Sequence, residues 1–142
     1  ADKLFATLDP VTRGVYLPSI KKELLFSDTV GFIQKLPHTL IDSFKATLEE
    51  VLYADVLLHV VDVSSPHLED QIEAVYRVLE ELGATTKKVI TVFNKIDKVA
   101  DQAFVGELKR IYYPAIEISA LKKIGITELL HLVEEVIQNE KK

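Results

Sequence analysis

The sequence predicts an α/β fold: one mostly parallel sheet with helices on both faces. Three observations carry this expectation. Val89 to Phe93 is an unbroken run of apolar and β-branched residues, the pattern of a strand buried on both faces. Asp55 to Val63 contains a second run of this kind. From Asp55 onward strand-like and helix-like stretches alternate as β-α-β-α-β-α, an order that a parallel sheet with crossover helices accommodates.

Taken in order, residues 1–13 have no clear period and read as a loop. Val15 to Ile20 is a short strand candidate, and Pro18 within it argues for an edge position. Lys22 to Phe26 reads as a second strand that pairs with the first as a hairpin. From Thr39 to Ala54, Ile41, Phe44, Leu48, Val51 and Leu52 recur at helical spacing. After the strand ending near Val63, Ser65-Pro66 supplies an N-cap and a proline at the first helical position. Leu68, Ile72, Val75, Leu79 and Leu82 form one apolar stripe, and Gly83 closes that helix. Asp101 to Tyr113 predicts a shorter helix carrying Phe104, Leu108 and Ile111. Ala115 to Ser119 predicts a last strand. Thr127 to Gln138 predicts a closing helix with Leu129, Leu130, Val133, Val136 and Ile137.

At 142 residues the chain is long enough for one domain and too short for two ordinary ones. A hydrophobic share of 48% with 27% charged residues describes a globular chain rather than a disordered one. Apolar runs such as Val56 to Val61 are interrupted too soon to span a bilayer. The net charge of −5 gives no electrostatic footprint for nucleic acid. Without cysteine there are no disulfides or thiolate metal ligands, which suits a reducing compartment, and cytoplasmic residence is expected. Residues 1–13 lack the basic-then-apolar order of a signal peptide. Methionine is absent as well, so Ala1 is expected not to be the true start.

The chemistry is concentrated where strands end. In open α/β sheets ligands bind at the carboxyl ends of the strands, where Asn94-Lys95-Ile96-Asp97 stands. A carboxylate such as Asp97 accepts two hydrogen bonds from the N1–H and exocyclic amine of guanine, a donor pair that adenine lacks on that edge. The Asn94 amide reaches the other edge of the base, and the Lys95 stem lies across the purine plane. The quartet resembles the N-K-x-D guanine-specificity motif of the P-loop GTPases. Asp28-Thr29-Val30-Gly31 matches D-x-x-G at a strand end: a carboxylate for the Mg²⁺ shell and a glycine amide, free of a Cβ, for a γ-phosphate. Sixty-six residues separate Asp28 from Asn94, room for a helix, a strand and another helix. Ser119-Ala120-Leu121 resembles the S-A loop whose backbone N–H bonds the guanine oxygen. Alone, D-x-x-G is more often a plain turn, and Ser-Ala carries no information; their order along the chain gives them weight.

Together A-D-K-L-F-A-T-L-D-P-V-T-R, D-T-V-G-F-I-Q-K-L-P-H, N-K-I-D and S-A resemble the HflX family of ribosome-associated GTPases over nearly the whole chain. The resemblance implies a P-loop GTPase-type fold, Mg²⁺-dependent hydrolysis of GTP to GDP, and binding to the large ribosomal subunit in ribosome splitting or rescue. It implies that Thr7 and Asp28 serve the metal, that Gly31 meets the γ-phosphate, and that Asn94, Lys95, Asp97, Ser119 and Ala120 hold the guanine nucleotide.

Two departures accompany it. Phe32 stands after Gly31, where Ras-like enzymes carry the glutamine that orients the attacking water, so Gln34 and His38 become the candidates for that role. No G-x-x-x-x-G-K-[ST] occurs in the sequence, so the P-loop, the first strand and the first helix are expected ahead of Ala1. Residues 1–142 then form a single domain, the G domain from switch I onward. A chain lacking that first strand would present a gap in mid-sheet and is expected to self-associate through it. The rival readings are a truncated G-fold module that neither binds nor hydrolyses nucleotide by itself, and a phosphoacceptor receiver domain. The receiver reading draws on Asp62 and Lys95 at adjacent strand ends but lacks an acidic pair at its first strand. His59, inside an apolar strand, reads as a core histidine.

Overall fold

The computed structural model describes residues 11–17, 22–28, 53–81, 83 and 86–140. The chain divides into two compact units, residues 1–54 with 75–85, and residues 55–74 with 86–142. In the first unit, β1 (Val11–Leu17) and β2 (Lys22–Asp28) form an antiparallel hairpin running from Val11 opposite Asp28 to Leu17 opposite Lys22. The first strand starts four residues earlier than its sequence suggests, and Pro18 to Ile20 lie outside the described residues. Val11-Thr12-Arg13 carries no periodic signal, but cross-strand pairing extends the ladder through it. The helix expected over Thr39 to Ala54 lies outside the described residues, except for Tyr53, which is helical, and Ala54, which is not.

The second unit is built on a parallel sheet of β3 (Val56–Asp62), β4 (Lys88–Asn94) and β5 (Ala115–Glu117), in the order β3-β4-β5. Asp62 stands level with Asn94, and Phe93 with Glu117. The central strand obeys its sequence: Ile90, Val92 and Phe93 are fully buried. Burying a side chain of that size stabilises by about 1.5–3 kcal/mol relative to leaving it exposed. Among the described residues β3 pairs with β4 alone, and Val60 within β3 is 57% exposed.

Helix α1 (Leu68–Glu81) begins two residues later than Ser65-Pro66 suggests. Ser65 Oγ accepts from His67 N at 3.2 Å, so the serine caps a turn and the helix follows it. Leu68 and Ile72 enter a core with Val61, Val63, Phe93, Val105 and Leu108. Gly83 ends the segment in the left-handed region at φ +73, as expected of a helix stop. Helix α2 (Gln102–Ile111) is capped by Asp101, whose carboxylate accepts from Phe104 N at 3.1 Å. Its buried face is Val105 and Leu108, with Phe104 and Ile111 exposed. The stripe expected through Phe104 and Ile111 is therefore rotated by about one position, because Val105, Leu108 and half-buried Tyr112 also share a face. Helix α3 (Ile126–Glu140) buries Val133 and Val136 and lies against β3. No helix among the described residues is long and apolar enough to cross a membrane.

His59 sits opposite Thr91 in the ladder and is mostly buried, and desolvation lowers its pKa from 6.5 to about 4. In the unfolded chain the ring binds its proton near pH 6.5, while in the fold it does so only near pH 4. Stability therefore falls as pH drops through that window, by at most about 3 kcal/mol from this group. The expected outcome is that His59→Phe flattens the decline in urea midpoint between pH 7 and pH 4.5. Parallel declines for wild type and variant would remove His59 as a cause.

Candidate functional site

The carboxyl ends of β4 and β5 carry the polar residues singled out from the sequence. The chain leaves β4 through Lys95, which adopts a left-handed backbone (φ 70, ψ 33) before the short 3₁₀ turn Ile96–Lys98. A non-glycine residue held there costs on the order of 1 kcal/mol and persists only where its surroundings compensate. The compensation is visible. Lys95 N donates to Asn94 Oδ1 at 2.8 Å, Lys98 N to Lys95 O at 2.9 Å, and Ile96 N to Ile118 O at 3.0 Å. The strand end is thus tied to its own side chain and to the segment leaving β5.

That segment is a tight loop. The expected strand over Ala115 to Ser119 closes at Glu117, and Ser119 instead exchanges two backbone hydrogen bonds with Ile124, at 3.0 and 2.9 Å. Ser119 is fully buried. Its hydroxyl donates to Asp97 Oδ1 at 2.8 Å and accepts from Lys122 N at 3.1 Å. Ala120 N donates to Asn94 Oδ1 at 3.0 Å. Five sequence candidates, Asn94, Lys95, Asp97, Ser119 and Ala120, therefore meet in one network before any ligand is considered. Because both neighbours of Asn94 Oδ1 are N–H donors, the amide orientation is fixed, leaving both Nδ2 protons to a ligand. Asp97 keeps Oδ2 for the same use.

Two members of the cluster carried no motif. Lys122 contributes only its backbone N–H, which no side-chain pattern announces. Asp62, at the end of β3, receives Lys95 Nζ at 3.0 Å. The sequence signal for it was only the pairing of two strand ends. Among the described residues no group of acidic or histidine side chains is arranged to hold a metal ion. Asp28 ends β2, where only its backbone is described. Thr7, Gly31, Gln34 and His38 lie outside the described residues.

A parallel sheet whose strand ends carry an interlocked N-K-x-D and S-A pair defines the P-loop GTPase class. Residues 1–95 match the family model of the 50S ribosome-binding GTPases. The chain is 48% identical over 140 residues to the GTPase HflX of Lacrimispora saccharolytica, covering 99% of this chain and 32% of that protein. It is 50% identical over 139 residues to the GTPase HflX of Caldanaerobacter subterraneus subsp. tengcongensis, covering 98% of this chain and 31% of that protein. The chain thus spans about a third of the length of these curated relatives. In structure it is similar to a GTP-binding protein from Sulfolobus solfataricus in complex with GDP. The TM-score is 0.76 at 28% identity, covering 92% of this chain and 45% of that one. The chain belongs to the 50S ribosome-binding GTPase family, among its HflX members.

One glycine holds the loop against the sheet. Gly125 has φ +79, and a Cβ there would lie 2.6 Å from the Glu117 carbonyl oxygen and 3.2 Å from Ile118 Cγ2. Gly83 has a similar φ but open space around it. Gly83→Ala should cost about 1 kcal/mol, the conformational penalty alone. Gly125→Ala should cost roughly 2–4 kcal/mol, because backbone must also move. Denaturant unfolding of both variants in the intact protein separates the two terms; equal losses would mean that the close approach to β5 carries no energetic weight.

Proposed function

We propose that this chain supplies the guanine-recognition end of a GTP-hydrolysing domain that works with Mg²⁺ on the large ribosomal subunit, in the cytoplasm, splitting or rescuing ribosomes. The observation that carries the proposal is the network in which Asn94 Oδ1 and Asp97 Oδ1 are fixed by the 119–122 loop. Those bonds leave both Nδ2 protons of Asn94, and on Asp97 the whole of Oδ2 with a second lone pair on Oδ1, to a ligand. Asp97 then accepts from the N1–H and exocyclic amine of guanine, and Asn94 donates to the far edge. Ala120 N–H, already engaged by Asn94, reaches the guanine oxygen by sharing that proton or by releasing Asn94. Lys95 offers its stem to the face of the base.

The printed names of the relatives, GTPase HflX, and the GDP complex of the structural neighbour support the nucleotide class. By resemblance, Thr7 and Asp28 would hold the metal and Gly31 would bond the γ-phosphate, with Gln34 or His38 placing the water. Bound Mg²⁺ would supply charge neutralisation between the β- and γ-phosphates.

The base reading is tested on full-length protein. Asp97→Asn replaces an acceptor pair by one acceptor and one donor, so GTP affinity should fall more than tenfold while xanthosine triphosphate gains. Unchanged GTP affinity in a competition titration would take Asp97 out of the role.

The ribosomal reading is tested by rate. With Phe32 after Gly31, no glutamine stands in the water-orienting position. Phosphate release from the full-length protein should therefore be slow alone and rise severalfold or more with large subunits. A fast rate indifferent to ribosomes would count against a site completed by its partner.

A further inference from the structure

One carboxylate at the strand ends has a geometry that the base contacts do not use. Asp62 closes β3, level with Asn94 in the parallel ladder. Its two oxygens are divided. Oδ1 accepts from Ser64 N at 2.9 Å and from the Ser64 hydroxyl at 2.6 Å, which fixes the plane of the group. Oδ2 accepts from Lys95 Nζ at 3.0 Å. The Ser64 hydroxyl first, and the ammonium after it, hold the carboxyl below its usual range, so it is charged at neutral pH.

Lys95 is consequently tethered at both ends. Its backbone is held in the left-handed conformation with its N–H on Asn94 Oδ1, and its tip is held by Asp62. The four methylenes between are left as a bar spanning the ends of β4 and β3. The pair is half exposed, with side-chain exposures of 46% and 36%, so as an ion pair it adds little to folding stability. Its consequence is conformational. A lysine stem free in solvent samples many rotamers, and a flat ring laid against it must first order it. Here the ordering is done within the fold.

We propose that Asp62 is a positioning residue for guanine-nucleotide binding: by holding the Lys95 ammonium, it fixes the lysine stem as an apolar rail for the face of the base. This rests on the reading that Lys95 lies across the purine. Because the rail meets the plane of the ring and not its edge, Asp62 should govern affinity without governing base choice.

The test uses full-length protein and fluorescent-labelled GDP and GTP. Immobilising one long side chain is worth about two- to tenfold in affinity, so Asp62→Ala should weaken both nucleotides by such a factor. Inosine diphosphate should lose affinity by the same factor. In a Lys95→Ala background the Asp62→Ala penalty should vanish. Raising salt from about 0.05 M to about 1 M should narrow the gap between wild type and Asp62→Ala, as a screened, half-exposed pair requires. Asp62→Asn, which keeps the Ser64 bonds through Oδ1 but sets an amide donor against the Lys95 ammonium, guards against a folding defect and should show the same loss as Asp62→Ala. Unaltered affinity in Asp62→Ala, or a full penalty persisting without Lys95, overturns the proposal. If Asp97→Asn still shifts preference to xanthosine triphosphate in either case, only the role of Asp62 has failed and the base reading stands.

Discussion

One oxygen atom joins two loops that the chain keeps 26 residues apart. Asn94 Oδ1 accepts from Lys95 N at the end of β4 and from Ala120 N beyond β5. The first bond supports a left-handed lysine, and the second fixes where the 119–125 loop begins. Without the amide oxygen both N–H groups would be left to water, and Lys95 would lose one of the three hydrogen bonds that support its disfavoured conformation. The Ser119–Asp97 bond makes the reciprocal tie, from the loop back to the strand end. The two bonds cross-brace the pair of loops, so the side chains at these strand ends are positioned within the fold itself.

Much of this could be read from the sequence, because its strongest signals are local. The buried run of β4 and the left-handed stop at Gly83 each depend on a few consecutive residues, and both fall where those residues put them. The departures arise where a distant partner decides. Val11 to Arg13 becomes strand because Phe26 to Asp28 lies opposite, and no periodicity within residues 1–13 reveals that. Helix α2 had two apolar stripes to choose from, and the core accepts the one through Val105 and Leu108. Ser65 carries a capping side chain but spends it on a turn.

The site divides in the same way. N-K-I-D and S-A are legible because each is a short run of consecutive residues standing at a strand end. The bonds that join them are not, because Ser119 to Asp97 and Ala120 to Asn94 are set by β4–β5 register. Asp62 is the plainest case. Its identity is visible, and its adjacency to Lys95 could be suspected from two strand ends, but the same adjacency also fitted a receiver domain. The two Ser64 bonds to Oδ1 add to the missing acidic pair in setting the receiver reading aside: they hold the carboxylate in one plane as a brace.

The identity of Asn94 follows from the same geometry. An aspartate there could accept both N–H groups equally well, so acceptance alone does not require asparagine. Two carboxylates, Asp62 and Asp97, already serve these loops, and Lys95 is tied to one of them. A third beside them would raise the repulsion without adding a cation to offset it. It would also forfeit the two Nδ2 protons, the only side-chain donors that the Asn94 position offers to a ligand. Asparagine alone accepts inward and donates outward without charge. The run of Asn, Lys and Asp therefore divides the work: Lys95 pairs with Asp62, Asp97 is bonded by Ser119, and Asn94 contributes a neutral amide where the two loops meet.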